Sequence, residues 1–157
     1  MILPSSNWNE VNAAEMPSEA MIVLMREYSD MGLTLYVGTD SMLNSSHCMF
    51  SCIIAVHSSE LGIANYYFQK QKLYEEKYKQ LENKILKEIE ISIVTANYLK
   101  ANIPDASIEV HIDIGDKERN ATRCLVDSAK GWVTGVGYKV KIKPESWASS
   151  VADWHTK

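Results

Sequence analysis

The sequence predicts an α/β fold in which helices flank a mixed five-stranded sheet. Three segments rich in β-branched and aromatic residues follow one another with turns of hairpin length between them, which predicts an antiparallel meander. A long segment with apolar residues at helical spacing comes next, and two further strand patterns alternate with helical ones. Antiparallel strands followed by α/β crossovers are typical of a mixed sheet covered by helices.

The predicted elements follow one another without a linker or an internal repeat, so we expect the 157 residues to form one domain. Residues 1–16 are predicted to be an arm that docks through Trp8, and residues 17–32 an extra helix that Gly32 ends in a left-handed cap. The predicted strands are residues 33–38, 49–56, 63–71, 107–114 and 138–143. The later predicted helices are residues 74–102, residues 120–130 with Asn120 as cap, and residues 146–157, with a turn-rich return at 131–137.

The composition argues against two classes of protein. The formal net charge is −4, whereas a protein that grips nucleic acid by bulk charge is usually basic, so any such contact must be local or supported by bound metal ions. No apolar run is long enough to cross a membrane, and the first ten residues lack the pattern of a signal peptide. With three cysteines and no disulfide framework, we expect a cytoplasmic protein.

Two aspartates lie at informative places in the predicted strands. Asp40 comes directly after the first apolar strand, and Asp113 lies between Ile112 and Ile114 in the fourth. A carboxylate inside a central strand is costly unless it is paired or holds a cation. A standard crossover would place the first and fourth strands side by side, and converging carboxylates suit hard cations such as Mg²⁺ and Mn²⁺. A cap or turn role is the alternative, and it is more serious for Asp40 than for Asp113.

The long helix offers one acidic candidate above the others. Glu88 lies at the edge of the apolar stripe, about 70° from its centre on a helical wheel. Glu82 lies at the opposite edge and is the second choice, whereas Glu90 should face water. Most acidic residues of this helix are expected to be solvated surface.

The C-terminal segment surrounds one acid, Asp153, with small residues and two tryptophans. His155 follows it and could assist proton transfer, although a lone histidine is more often structural. In the fifth strand Lys139, Lys141 and Lys143 share one face, which is either a phosphate-binding surface or, slightly preferred, a solvated one.

Three motifs give the chain a family resemblance. Residues 36–41 (YVGTDS), 111–115 (HIDIG) and 141–153 (KIKPESWASSVAD) look like the bacterial YkuK-type family of the ribonuclease H-like superfamily. The third motif is long and specific, and the resemblance covers about residues 16–157, including the extra helix. It implies a ribonuclease H-like fold.

The resemblance also implies a metal site with two ions, Mg²⁺ or Mn²⁺. By position, Asp40, Glu88 and Asp113 would hold one ion, and Asp40 and Asp153 the ion that activates water. Glu82 or Glu90 in place of Glu88, and Asp116 in place of Asp113, remain alternatives. Substrate contacts are assigned to Ser41, Lys143 and His155.

Three functional hypotheses follow. The first is a metal-dependent nuclease that hydrolyses phosphodiester bonds in RNA, an RNA–DNA hybrid or DNA by a two-metal-ion mechanism, with nucleic acid as its partner. The second is a non-catalytic module that binds nucleic acid or protein on the same fold, which the acidic net charge mildly favours. The third, a structural or oligomerising domain, rests on aromatic residues that are more often core or docking residues: Trp8, Tyr66, Tyr67 and Trp154.

Overall fold

Four helices and a six-stranded sheet make up the part of the chain, residues 3–115, 117 and 122–157, that a computed structural model describes. In chain order the elements are β1 (Asn9–Glu10), α1 (Ser18–Asp30), β2 (Leu35–Leu43), β3 (Cys48–Ser58), β4 (Ile63–Leu73), α2 (Leu81–Asn102), β5 (Ile108–His111), α3 (Val126–Val136), β6 (Lys139–Lys141) and α4 (Trp147–Asp153). Two 3₁₀ turns, Glu76–Lys79 and Arg123–Leu125, precede α2 and α3.

The sheet has the order β1-β4-β3-β2-β5-β6. Strands β2, β3 and β4 form the predicted antiparallel meander, and β2 lies parallel to β5 as the crossover predicts. The sheet has six strands rather than the five predicted, because the two residues of β1 pair with β4 at its edge. A two-residue strand is too short to show a period of two in the sequence.

Helices cover the two faces of the sheet unequally. The larger core lies between one face and α1, α2 and α3, where Met21 and Met25 of α1, Ile89 of α2 and Val133 of α3 are buried. On the other face α4 packs through Ala148 and Ala152, and among the described residues it is the helix that contributes to this smaller core. Within the described residues no helix is long and apolar enough to cross a membrane.

The N-terminal arm docks as its sequence predicts. Trp8 is fully buried, its indole N–H donates to the carbonyl of Pro4 at 2.9 Å, and its backbone pairs with Met16. The N-terminal helix is confirmed, and Gly32 follows it with a φ of 84°, the left-handed conformation that glycine adopts without strain.

Two predicted strand ends were wrong. Strand β2 does not stop before Asp40 but continues to Leu43, so Asp40 lies inside it. The polar residues on either side of Asp40 have partners across the sheet face: Thr39 Oγ1 lies 2.7 Å from Ser92 Oγ of α2. Strand β5 ends at His111, so Asp113 lies just beyond the strand and not within it.

The helix predicted at residues 120–130 was misplaced. Helix α3 runs from Val126 to Val136 and includes Gly131 and Gly135, which were predicted to belong to a turn. Val126, Ala129 and Val133 are buried at helical spacing, and this packing outweighs the low helix propensity of the glycines. Asn120, the predicted cap, lies outside the described residues.

Candidate metal centre

The register of β2 and β5 brings Asp40 and Asp113 to the same place in the sheet. Gly38 pairs with His111 in this parallel ladder, and each aspartate lies two residues further along its chain. Asp40 is buried, and Asp113 is half-buried. Because β2 and β5 run in the same direction, both carboxylates lie towards the carboxyl ends of the strands.

Glu88 reaches this place from α2. It is 3% exposed, and its Oε1 accepts a hydrogen bond of 2.5 Å from the Ser41 hydroxyl of β2. Its other oxygen, Oε2, is buried without a hydrogen-bond partner among the described residues. The alternatives point elsewhere: Glu82 is exposed, and Glu90 is exposed and bonded to Lys87 at 2.9 Å.

Asp153 is brought over the sheet by the close approach of α4 to β2. A Cβ atom added to Gly38 would lie 2.6 Å from the backbone of Ala148 and Ser149, so only glycine lets the helix lie this close. Asp153 ends α4, is half-buried, and lies within hydrogen-bonding reach of Asp40. Four elements therefore contribute one carboxylate each.

Burial and mutual repulsion make this cluster electrostatically costly. Burial raises the pKa of Asp40 to about 7, and the negative charge of Asp113 is the second cause. Burial also raises the pKa of Glu88 well above its ordinary value, followed by the charge of Asp40. Both shifts mean that the ionised carboxylates lack sufficient positive charge around them.

Two lysines supply part of that charge. Lys143 Nζ lies 3.2 Å from Asp113 Oδ1, in a pair whose side chains are 47% and 31% exposed. Lys84, one turn before Glu88 on α2, donates to the carbonyl of Ser41 at 3.3 Å, and its charge partly offsets the rise in the pKa of Glu88. Lys84 was not among the predicted site residues, although its spacing of four residues from Glu88 places both on one helix face.

The donor set fits a hard divalent cation. Carboxylate oxygens are the ligands that Mg²⁺ and Mn²⁺ prefer, and the unpartnered Oε2 of Glu88 is a buried acceptor that a cation would satisfy. As the side chains stand, no group of three acidic, histidine or cysteine residues within the described chain is arranged to hold an ion. The Lys143–Asp113 pair and the Ser41–Glu88 bond already engage two of the carboxylates.

His111, which was not among the predicted site residues, links α4 to β5. Its ring is buried, Nδ1 accepts from the backbone N–H of Ala148 at 3.0 Å, and Nε2 bonds to Glu109 at 2.9 Å. Burial lowers the pKa of this imidazole, which favours the neutral form that the bond from Ala148 requires. His111 therefore fixes the start of the helix that carries Asp153.

The three predicted substrate-binding residues differ in their distance from the carboxylates and in their exposure to solvent. The Ser41 hydroxyl is buried and bonds Glu88. His155 lies against β4, with Nε2 2.8 Å from the Tyr66 hydroxyl and its ring stacked on Phe68 at 3.8 Å, and is thus held by β4 rather than free to move. Only Lys143 is beside the carboxylates and partly open to solvent. Asp116, the alternative to Asp113, lies outside the described residues.

Comparisons with known proteins identify the family of the chain. The family model described as "Ribonuclease H-like" matches residues 18–157. A Bacillus subtilis (strain 168) protein, "Uncharacterized protein YkuK", is 30% identical over 139 residues, which cover 78% of this chain and 78% of the relative. No solved structure matches the chain significantly.

Proposed function

The chain belongs to the ribonuclease H-like family, of the YkuK type, and we propose that it is a divalent-metal-dependent nuclease acting on RNA, an RNA–DNA hybrid or DNA. One observation carries the proposal: carboxylates from β2, α2, α4 and the end of β5 converge, and the most buried of them, Glu88, has an oxygen without a partner in the described chain. A cytoplasmic location is part of the proposal, since the buried thiols of Cys48 and Cys52 are free.

The proposed site holds two ions of Mg²⁺ or Mn²⁺. Asp40, Glu88 and Asp113 would hold one, and Asp40 and Asp153 the other. When bound, such ions activate a water molecule and stabilise the leaving oxygen of a phosphodiester. The positive charge would also offset the repulsion among the carboxylates, which is the main cost of bringing them together.

The surrounding residues orient the carboxylates. The Ser41 hydroxyl holds Oε1 of Glu88, Lys84 in turn binds the Ser41 carbonyl, and Oε2 is left without a hydrogen-bond partner in the described chain. His111 and Gly38 fix the position of α4, and Asp153 with it. Lys143 neutralises Asp113 in the absence of a cation and, once displaced, would lie beside the site where a substrate phosphate must approach.

Cleavage assays with a matched pair of variants test the proposal. Labelled single-stranded RNA, RNA–DNA hybrid and branched DNA are incubated with Mn²⁺ or with EDTA. We expect Mn²⁺-dependent cutting of at least one substrate, reduced about a hundredfold or more in Asp113→Asn because a ligand is lost. Asp105→Asn, an exposed aspartate just before β5, removes the same charge and should cut normally.

A folded wild-type protein that cuts none of these substrates would contradict the nuclease assignment. Circular dichroism would establish the fold, and Mn²⁺ titration would then separate the alternatives. A protein that binds Mn²⁺ in the wild type but not in Asp113→Asn retains the metal site. A protein that takes up no Mn²⁺ is better described as a non-catalytic binding module.

A further inference from the structure

The face of the sheet under α4 is only partly covered, and an aromatic groove lies beside the helix. Helix α4 has seven residues and covers only part of this face, where Ile53 and Ala55 are buried against it. Next to it is a cavity of about 280 Å³, which we call the aromatic groove. The residues that define its walls are His57, Tyr66, Trp147, Val151 and Trp154.

Flat rings stand at both ends of the aromatic groove. Trp147, Val151 and Trp154 recur at helical spacing and thus share one side of α4. Trp154 is 63% exposed and meets Tyr66 edge-on with ring centres 6.4 Å apart. Trp147 is 37% exposed and lies 6.2 Å from the ring of His57. Large aromatic side chains that stay this exposed next to a cavity mark a binding surface more often than isolated exposed residues do.

Polar ring atoms without partners surround this apolar space. Within the described chain, neither indole N–H of Trp147 and Trp154 nor the ring of His57 takes part in a hydrogen bond. The hydroxyl of Tyr66, in contrast, is engaged by His155 at 2.8 Å. The groove therefore offers apolar planes for stacking and a few polar atoms at its rim.

We propose that the aromatic groove holds an unpaired nucleobase of the substrate, so that the preferred substrate is single-stranded or carries a single-stranded stretch. This inference rests on the proposed nuclease function. A base presents two apolar faces and a polar edge, which match these walls and rim, and in a duplex both faces are covered by neighbouring base pairs. Base–aromatic stacking is the usual way in which proteins hold single strands without reading sequence.

Two residues at the groove are close in the chain to members of the carboxylate cluster. Trp154 directly follows Asp153, so one end of the groove adjoins a proposed metal ligand. Tyr36, whose ring lies 4.7 Å from that of Trp147, precedes Asp40 by four residues of β2, about 13 Å along the strand. A base in the groove would thus belong to a nucleotide a short way along the same strand from the phosphate at the carboxylates.

Binding measurements with and without bases test the inference. Three short labelled ligands of equal length are titrated by fluorescence anisotropy in EDTA at low salt, where no cutting is expected: a single strand, the same strand with abasic sites, and its duplex. We expect Trp154→Leu to bind the single strand about tenfold more weakly and to bind the abasic strand and the duplex as the wild type does. Trp132→Leu, which alters a tryptophan 39% exposed on α3, should change nothing.

The outcomes separate this inference from the nuclease proposal. Suppose that the wild type cuts nucleic acid. If Trp154→Leu then binds all three ligands more weakly by the same factor, or binds all three as the wild type does, the groove does not hold a base, whereas the nuclease proposal is unaffected. Failure of the wild type to bind the single strand under these conditions would also overturn the inference. So would a sedimentation experiment showing that the wild type is a dimer and Trp154→Leu a monomer, because the groove would then hold a second copy of the chain.

Discussion

Asp40 is the side chain on which the electrostatic cost of the carboxylate cluster falls most directly. It is buried, it lies between Asp113 and Asp153, and its charge acts on Glu88 as well. An ionised carboxylate in such surroundings destabilises the fold unless a cation compensates it. The side chain that is most useful for binding metal is therefore expected to be unfavourable for stability when the metal is absent.

Removing the charge of Asp40 should stabilise the metal-free protein above neutral pH. The pKa is raised from 3.8 to about 7 on folding, so between these pH values only the unfolded chain releases the proton. The stabilising contribution of protonated Asp40 is fully present below about pH 4 and is lost as the pH rises through 7. In EDTA, the Tm of the wild type should fall over this range, and Asp40→Asn should be more stable at pH 8 by about 1–3 kcal/mol.

The control for this experiment is Asp127→Asn, which removes an exposed aspartate from the first turn of α3. Its pH dependence should parallel that of the wild type. Saturating Mn²⁺ should reverse the order, because the cation stabilises the wild type and not Asp40→Asn. Equal slopes of Tm against pH for the wild type and Asp40→Asn in EDTA would show that Asp40 is not protonated in the folded protein.

Lys143 competes with a cation for Asp113. Its ammonium group lies 3.2 Å from the carboxylate and must move away from it when an ion binds there. Partly exposed ion pairs of this kind contribute about 0.2–1 kcal/mol, so we expect Lys143→Met to bind Mn²⁺ up to about fivefold more tightly in a calorimetric titration. Lys139→Met makes the same change on β6, where the described chain offers no ion pair to the lysine, and should leave the affinity unchanged. Weaker binding in Lys143→Met would mean that the lysine supports the site instead of competing for it.

Among the elements, α4 depends on its contact with β2 more than on its own length. Its seven residues are too few for an independently stable helix. Ala148 lies directly over Gly38, and His111 binds the first turn through the backbone of Ala148. The position of Asp153 is therefore set by packing against the sheet.

Gly38→Ala should displace α4 and weaken the site. The added methyl group would lie 2.6 Å from backbone atoms, which cannot rotate away as a side chain can. We expect a loss of about 1–3 kcal/mol in the free energy of unfolding, typical of overpacking, together with weaker Mn²⁺ binding. Denaturant unfolding and calorimetry measure the two effects.

Gly131→Ala is the matched control for this substitution. An added Cβ at Gly131 meets no atom within 4 Å, and the residue lies inside α3. Alanine should therefore stabilise the protein by up to about 1 kcal/mol through its higher helix propensity. If Gly38→Ala behaved in the same way, α4 would have to be free to shift without cost.

The helices and strands differ in how well their bounds can be predicted from local sequence patterns. The apolar stripe of α2 and the alternation in β3 and β4 predict those elements, because each repeats over many residues. The end of β2 was predicted too early because Thr39 and Ser41 read as polar, whereas both are satisfied by partners on α2. The bounds of α3 depend on the burial of Val133, which is set by contacts far away in the chain.

Local patterns singled out two members of the carboxylate cluster, whereas the full set of four came from the family resemblance. Asp113 is flanked by apolar residues and Glu88 by an apolar stripe, and both signals are local. The ion pair of Lys143 with Asp113 and the bonds of His111 depend on the order of β5 and β6 in the sheet and on the docking of α4, which no local pattern encodes. The aromatic groove could not be predicted from a local pattern either, since its walls come from β3, β4 and α4.

For the whole molecule, the distribution of charge matters more than its sum. The net charge of −4 opposes contact with phosphates, yet Lys139 and Lys141 share one face of β6 at the sheet edge, and Lys143, two residues further along, pairs with Asp113. Lys139 pairs with Glu109 and Lys141 with His111 in the β5–β6 ladder, which places both on the face that α4 covers. A local positive stripe on an acidic protein can direct a strand to one place without binding it everywhere.

Lys141 is predicted to contact a phosphate, which distinguishes its role from that of a base-binding residue. Lys141→Gln should weaken binding of the single strand, the abasic strand and the duplex by a similar factor, because a phosphate backbone is present in all three. The slope of log affinity against log salt should fall by about 0.7–0.9, the value for one lost phosphate contact. Lys130→Gln, an exposed lysine on α3, makes the same change in net charge and should leave the slope as it is. Equal slopes for both variants would mean that the stripe is an ordinary solvated strand face, and that the site attracts phosphates through its metal ions alone.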